Sequence, residues 1–362
     1  MSMSDAPKVA PSDAGGFAPG ALLGPYRILR RIGVGGMGMV YEAEHTMLRQ
    51  HFAVKALTLE GLDVAARKES AERFLLEARV TSRMRHAGIV SVQTLEVDAE
   101  TGTLYFVMEY VAMSPVRREA LVASALGDAT VWRTPAPPPE TEGQEALSLE
   151  DLLQASKARG RRINPSLVRR LLLDVCSALA YAHTFGEGVL HRDIKPANIL
   201  VRPNGRAVVA DFGVAKVLGE AFRKEVLRHQ DRSLSLRIEA DGRLSRMVPG
   251  TEAYMAPELL AGGEPTPKTD LYALGVMAYQ LLTGERFSAD SLAPSALGLP
   301  KAWDLLILGC LRADPANRWA DIPAFRRALA ALPRRQAMAC LRRVALWGMG
   351  AVSLGALAAG GL

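Results

Sequence analysis

The sequence predicts an α+β fold in two lobes, an antiparallel-sheet lobe first and a mainly helical lobe second, followed by a C-terminal transmembrane helix. Three observations predict it. Short alternating apolar segments, broken by a glycine-rich turn, fill the first third of the chain. Apolar residues at helical spacing dominate from Leu147 onward. Val344–Leu362 carries no charged side chain and follows Arg334, Arg335, Arg342 and Arg343, a pattern that can cross a bilayer with the preceding residues in the cytoplasm.

Residues 1–21 are rich in Ala, Pro, Gly and Ser and lack an apolar segment, which predicts a disordered leader with order beginning near Leu22. Tyr26–Ile32, Val40–Glu44 and His51–Leu57 read as strands, with Gly33, Gly35 and Gly38 turning the first into the second. No helix opens after these glycines, which argues against a dinucleotide-binding fold and a P-loop. Glu69–Met84 carries Phe74, Leu75, Ala78 and Met84 on a helical period, with Glu77 among them. Ile89–Leu95 and Leu104–Met108 are further strands. Residues 112–146 show no period and contain Thr134-Pro135-Ala136-Pro137-Pro138-Pro139, which predicts a partly disordered insertion.

Asn164-Pro165 is an N-cap with proline at the first helical position. Val168, Leu171, Leu172, Val175, Leu179 and Ala182 line one face of the helix it opens. Ile199–Val201 and Ala207–Ala210 flank Pro203-Asn204-Gly205, a hairpin signal. Thr269–Leu282 (closed by Gly284), Trp303–Leu311 and Ile322–Leu329 are helical. The expected organisation is a leader 1–21, a main domain 22–332 with lobes 22–111 and 147–332 around the insertion 112–146, a basic linker 333–343 and a membrane helix 344–362.

At 362 residues, 49% hydrophobic and 23% charged, the chain has ample material for a core. Its net charge of +6 comes from arginines scattered over helices and loops. Without interleaved aromatics they make no nucleic-acid surface, and no nucleic-acid partner is expected. Cys176, Cys310 and Cys340 lack CxxC spacing, so no disulfide framework or metal cluster is expected, as suits a reducing compartment.

Chemistry concentrates in a few short segments. Gly33-x-Gly35-x-x-Gly38-x-Val40 could be a plain hairpin turn, but it also lets backbone N–H groups approach phosphates. A lone strand lysine such as Lys55 is usually solvated; paired with Glu77 it can hold phosphates. His191–Leu200 is more specific. Asp193 offers a proton acceptor, Lys195 a positive charge and Asn198 a hard oxygen ligand, with Asp211 a second such ligand after the hairpin. Each alone could be a surface polar group, but the whole set in this order is not a chance pattern.

This series of motifs, from Tyr26 to Leu332, resembles the eukaryotic-type (Hanks-type) serine/threonine protein kinases of bacteria. The resemblance implies a bilobal protein-kinase-like fold and transfer of the γ-phosphate of ATP to Ser/Thr hydroxyls of proteins. It implies Gly33, Gly35 and Gly38 over the phosphates, Lys55 with Glu77 on the α/β-phosphates, Asp193 as base, and Lys195 as the mark of the Ser/Thr class. Asn198 and Asp211 match the ligands of Mg²⁺, with Mn²⁺ as an alternative. Ile32, Val40, Ala53, Met108 and Leu200 match the adenine pocket, and Glu109 and Val111 the hinge backbone.

Glu258 is implied to pair with Arg318, Asp270 to brace the catalytic loop and Thr251 to serve structurally. Arg192 implies coupling to a phosphorylated activation segment, with Ser245 the lead site and Ser233 and Ser235 alternates. The insertion and the long segment from Asp211 to Glu258 depart from the pattern. Loss of Lys55, Asp193 or Asp211 would mark a pseudokinase scaffold, and all three are present. Ala256-Pro257-Glu258 speaks against a small-molecule phosphotransferase. The expected partners are Ser/Thr-bearing proteins, membrane lipid and a second copy of the chain, through the kinase domain or through Ala351, Gly355 and Ala359. The expected location is a single-pass anchor in a bacterial inner membrane, with the kinase domain cytoplasmic.

Overall fold

Period-two alternation in His51–Leu57 decides how the first lobe is built. The computed structural model describes residues 16–35, 38–59, 61, 63–127, 146–186, 188–212 and 252–332. The chain divides into two compact units: Met1–Val111, Tyr181–Arg192 and Val209–Glu252 form the first, and Ala112–Ala180, Asp193–Val208 and Ala253–Leu362 the second.

The first unit holds β1 (Leu22–Leu23), β2 (Tyr26–Gly35), β3 (Gly38–His45), β4 (His51–Leu57), β5 (Val92–Val97) and β6 (Leu104–Glu109). They pair antiparallel in the order β1-β2-β3-β4-β6-β5. Val54 and Ala56 of β4 join Tyr105 and Val107 of β6 in a core with Leu23, Tyr26, Ile28 and Tyr41. The alternate residues, Ala53, Lys55, Phe106 and Met108, belong to the opposite face. There α1 (Val64–Arg83) packs, with the Phe74 ring 4.8 Å from that of Phe106.

Three boundaries differ from expectation. Order begins before Leu22: Phe17 packs edge-on against Tyr41, its amide donates to the Tyr41 hydroxyl at 3.0 Å, and Ala21 is buried. The core therefore recruits the end of the expected leader. The helix α1 starts earlier than Glu69 because Asp63 caps it, accepting from the Ala66 amide at 2.8 Å. Ile89 is not in β5; it makes a parallel bridge to Val209 instead.

The second unit contains α2 (Pro115–Ala125), α3 (Leu149–Ala158), α4 (Pro165–Thr184, whose last turn counts with the first unit), β7 (Ile199–Val201), β8 (Ala207–Val209), α5 (Pro257–Leu260), α6 (Pro267–Thr283), α7 (Ala302–Cys310) and α8 (Ile322–Ala331). The helix α6 is apolar and almost wholly buried, with Gly284 closing it at φ 82°. The helix α2 corrects the reading of 112–146 as periodless. Ser114 caps it, proline follows at its first position, and Leu121, Val122 and Ala125 are buried. The charged stretch Arg117-Arg118-Glu119 interrupts the apolar period in the sequence, and burial of Arg117 hides it further. The proline-rich run lies outside the described residues. So do Thr251, Ser233, Ser235 and Ser245, the linker and the segment 344–362; among the described residues no helix is long and apolar enough to cross a membrane.

Candidate active site

Strand β4 delivers Lys55 to the inner face of the first unit, opposite Phe106 in the register. The side chain is buried, with Nζ 2.7 Å from Glu77 Oε1, 3.1 Å from Asp211 Oδ1 and 5.6 Å from the centre of the Phe106 ring. Burial opposes its charge, but the Asp211 and Glu77 carboxylates outweigh that and hold the ammonium above its ordinary value. Lys55 is thus a fixed cation. Glu77 comes from α1 and is itself buried.

Asp211 sits in the left-handed region at φ 48°, as does Arg192 at φ 67°. Two non-glycine residues in this sparsely populated conformation, in the two segments the sequence singles out, store backbone strain where side-chain placement matters. His191 is fully buried; its ring lies 4.7 Å from Phe212 and its Nε2 donates to the Ala210 carbonyl at 3.1 Å. The sequence reading gave His191 no task. Its position fixes the backbone just before Asp211.

The glycines differ. A side chain at Gly38 would meet the Ala56 carbonyl at 2.1 Å, so strand packing alone demands glycine there. At Gly33 an added Cβ would make only ordinary contact with Val40, at 3.6 Å. The fold does not require that glycine. Met108 pairs with Ala53, and Phe52 with Glu109. The Glu109 carboxylate accepts from the Ser91 amide at 2.9 Å and its amide donates to the Ser91 carbonyl at 3.0 Å. Val111 is buried, while Ile32 and Val40 are half-buried.

Sequence reading missed the group that ties the residue after β6, Tyr110, to the sheet. The buried Glu42 of β3 accepts from Arg30 Nε and His51 Nδ1 at 2.8 Å each and from the Tyr110 hydroxyl at 3.0 Å. A carboxylate among the apolar residues of a strand, Val40-Tyr41-Glu42-Ala43, was the available signal.

In the second unit, Asp193, Lys195 and Asn198 form one cluster. Asn198 Nδ2 donates to the Asp193 carbonyl at 2.8 Å and to its Oδ2 at 2.9 Å; Lys195 Nζ lies 2.8 Å from the same Oδ2. Asn198 ends the 3-10 turn Pro196–Asn198, which leads into β7 and Leu200. Elsewhere in this unit, Arg318 donates to both oxygens of Glu258 at 2.7 Å each. Asp270 is buried at the start of α6.

The model of the protein kinase domain matches residues 26–126 and 141–297, well over half of the chain. The chain belongs to the protein kinase domain family. The match omits 127–140, inside the expected insertion and just beyond α2. The kinase domain is 31% identical over 261 residues to the serine/threonine-protein kinase PknD of Protochlamydia amoebophila, covering 71% of this chain and 23% of that protein. It is 32% identical over 330 residues to Pkn1 of Myxococcus xanthus, covering 86% and 38%. To PknA of Mycobacterium tuberculosis it is 33% identical over 273 residues, covering 74% and 49%. The chain thus spans less than half the length of these curated relatives. Among solved structures it is similar to the kinase domain of Mycobacterium tuberculosis PknI, with a TM-score of 0.57 at 23% identity over 89% of this chain and all of that one. That likeness shows the fold, an antiparallel-sheet lobe and a helical lobe.

Proposed function

We propose that the chain is an ATP-dependent serine/threonine protein kinase that phosphorylates Ser/Thr hydroxyls of proteins, itself included. The observation that carries this reading is the buried Lys55, held charged between Glu77 and Asp211. Such a cation costs several kcal/mol to desolvate, a cost its two carboxylates offset, and the reading gives its retained charge the task of meeting an anionic substrate. In this reading Lys55 binds the α/β-phosphates and Gly33 leaves room for them. Ile32, Val40, Ala53, Met108 and Leu200 are assigned to the adenine, and the backbone at Glu109 and Val111 to the adenine edge. Asp193 orients the acceptor hydroxyl and takes its proton, while Lys195 balances the negative charge of the transferring phosphoryl group.

Asn198 and Asp211 suit a divalent cation. Asn198 commits its Nδ2 to Asp193, which leaves its amide oxygen as a hard donor, and Asp211 adds a carboxylate. Among the described residues no cluster of three or more His, Cys, Asp or Glu forms a cage. Mg²⁺ needs none, since it is held by one or two such ligands with phosphates and water. When bound, the cation neutralises charge on the phosphates.

The test is label transfer from γ-labelled ATP by wild type and Asp193→Asn. We expect wild type to label itself and a protein acceptor, and the variant to lose about 10²- to 10⁴-fold. Undiminished labelling by the variant, or none by wild type, would overturn the reading. We further propose that Val344–Leu362 anchors the chain in a bacterial membrane with the kinase domain cytoplasmic, where a second copy meets the first.

A further inference from the structure

The hairpin β7–β8 starts directly after Asn198, so whatever holds the hairpin sets where the Asn198 amide sits. Three supports converge on it within the second unit. Asp174 of α4 accepts from the Arg206 guanidinium at 2.8 Å and from the Ala207 amide at 3.1 Å. The Leu147 carbonyl accepts the Val201 amide at 2.7 Å, and Ser148 bridges antiparallel to Leu200. The third support comes from the insertion: Arg117 Nε on α2 donates to the Pro203 carbonyl, at the hairpin turn, at 2.8 Å.

That third support is a built one. Arg117 is only 6% exposed, so its guanidinium has given up most of its hydration for its place against the turn. The helix it projects from is capped at its start and anchored at its end. Ser114 caps the start of α2, and the Asn164 amide donates to the Ala125 carbonyl at 2.9 Å, joining the end of α2 to the entry of α4. Arg118 Nε donates to the Ala146 carbonyl at 3.1 Å, drawing the two ends of the insertion together. An aliphatic side chain could fill the same space but could not donate to the turn, so the hydrogen bond to Pro203 is one feature that calls for arginine.

We propose that Arg117 is a positioning residue: the helix α2 clamps the β7–β8 hairpin and thereby fixes Asn198, so that the insertion sets how readily the metal-nucleotide complex binds. The metal part of this statement rests on the reading of Asn198 given above; the clamp does not.

The test uses the full chain with Arg117→Met and Arg117→Lys. Hydrogen exchange at the Val201, Arg202 and Gly205 amides, which donate to Leu147, Arg206 and Arg202, reads the hairpin with neither metal nor nucleotide present. Loss of a charged hydrogen bond should speed these amides about tenfold in Arg117→Met, with those of α6 unchanged. The Mg²⁺ concentration for half-maximal binding of a fluorescent ATP analogue should rise about threefold or more. Arg117→Lys, which keeps charge and a donor, should recover part of both effects; it decides the matter if the methionine variant fails to fold.

Unchanged exchange at the hairpin overturns the clamp. Faster exchange with an unchanged Mg²⁺ midpoint overturns the positioning role. A wild-type chain that binds no nucleotide overturns the reading of Asn198 instead, and the exchange measurement then decides the clamp alone.

Discussion

Thr81 shows how a single buried atom can be tested. It lies on α1, in the inner pocket it shares with Glu77, Phe106, Met108 and Phe212 of the first unit. Its hydroxyl is buried and has no hydrogen-bond partner among the described residues. A buried hydroxyl without a partner costs about 1–3 kcal/mol. The nearly isosteric Thr81→Val should therefore raise stability by about 1 kcal/mol, seen as a melting point about 2–4 °C higher. A lower melting point would mean that a water molecule satisfies the hydroxyl. At this scale the sequence was legible where a residue acts within a short motif. The Asp193, Lys195 and Asn198 cluster is local in sequence, and its members meet as their spacing suggests. Glu42 with Arg30, His51 and Tyr110 was not legible, because strand register, not spacing, brings those four together.

Glu258 and Arg318 join two elements. Glu258 stands in the first turn of α5, and Arg318 follows the 3-10 turn before α8. The Arg318 side chain is fully buried and that of Glu258 is 20% exposed. Arg318 also donates to the carbonyls of Arg312, Lys268 and Ala313, so removing Glu258 leaves it partly satisfied. We expect Glu258→Gln to cost about 2 kcal/mol at pH 7, below the 3–5 kcal/mol typical of a broken buried pair. Burial pushes the Glu258 carboxyl up, but its hydrogen bond to Arg318 prevails and holds it below its ordinary value. The contribution is thus present above the unfolded pKa of about 4.3 and is lost as pH falls through the folded value. Urea midpoints of wild type and variant should differ at pH 7 and draw together as pH falls below about 4.3 and through the lower folded value; a gap that stays constant with pH would remove the ion pair as its cause. Elements were legible where period and cap agreed, as in Asn164-Pro165 opening α4 and Gly284 closing α6. The helix α2 was not, although Ser114-Pro115 carries the same start signal, because its buried face includes Arg117 and an arginine reads as solvent-facing.

For the molecule as a whole, the proposed anchor Val344–Leu362 would set where the kinase domain works. The segment is uncharged but rich in Ala and Gly, with Leu346, Leu354, Leu357 and Leu362 among its apolar residues. Each leucine favours insertion by only about 0.3–0.6 kcal/mol, so the total is small. A single arginine at the middle of a span opposes it by about 2.5–3.5 kcal/mol. Leu354→Arg should therefore convert a chain that stays with bacterial membranes after an alkaline carbonate wash into one that is largely released. Equal retention of both would remove the anchor. Anchoring also has a kinetic consequence. Copies confined to one bilayer meet at an effective concentration set by the membrane and not by the bulk. Autophosphorylation of the wild-type chain in vesicles should then hold its specific rate on tenfold dilution of the vesicles (about tenfold, at fixed lipid-to-protein ratio). In detergent, Leu354→Arg should slow in proportion to its concentration. If the wild-type rate in vesicles falls with dilution as that of Leu354→Arg does in detergent, the copies do not meet in the membrane, and transfer between them depends on contacts of the kinase domain in solution.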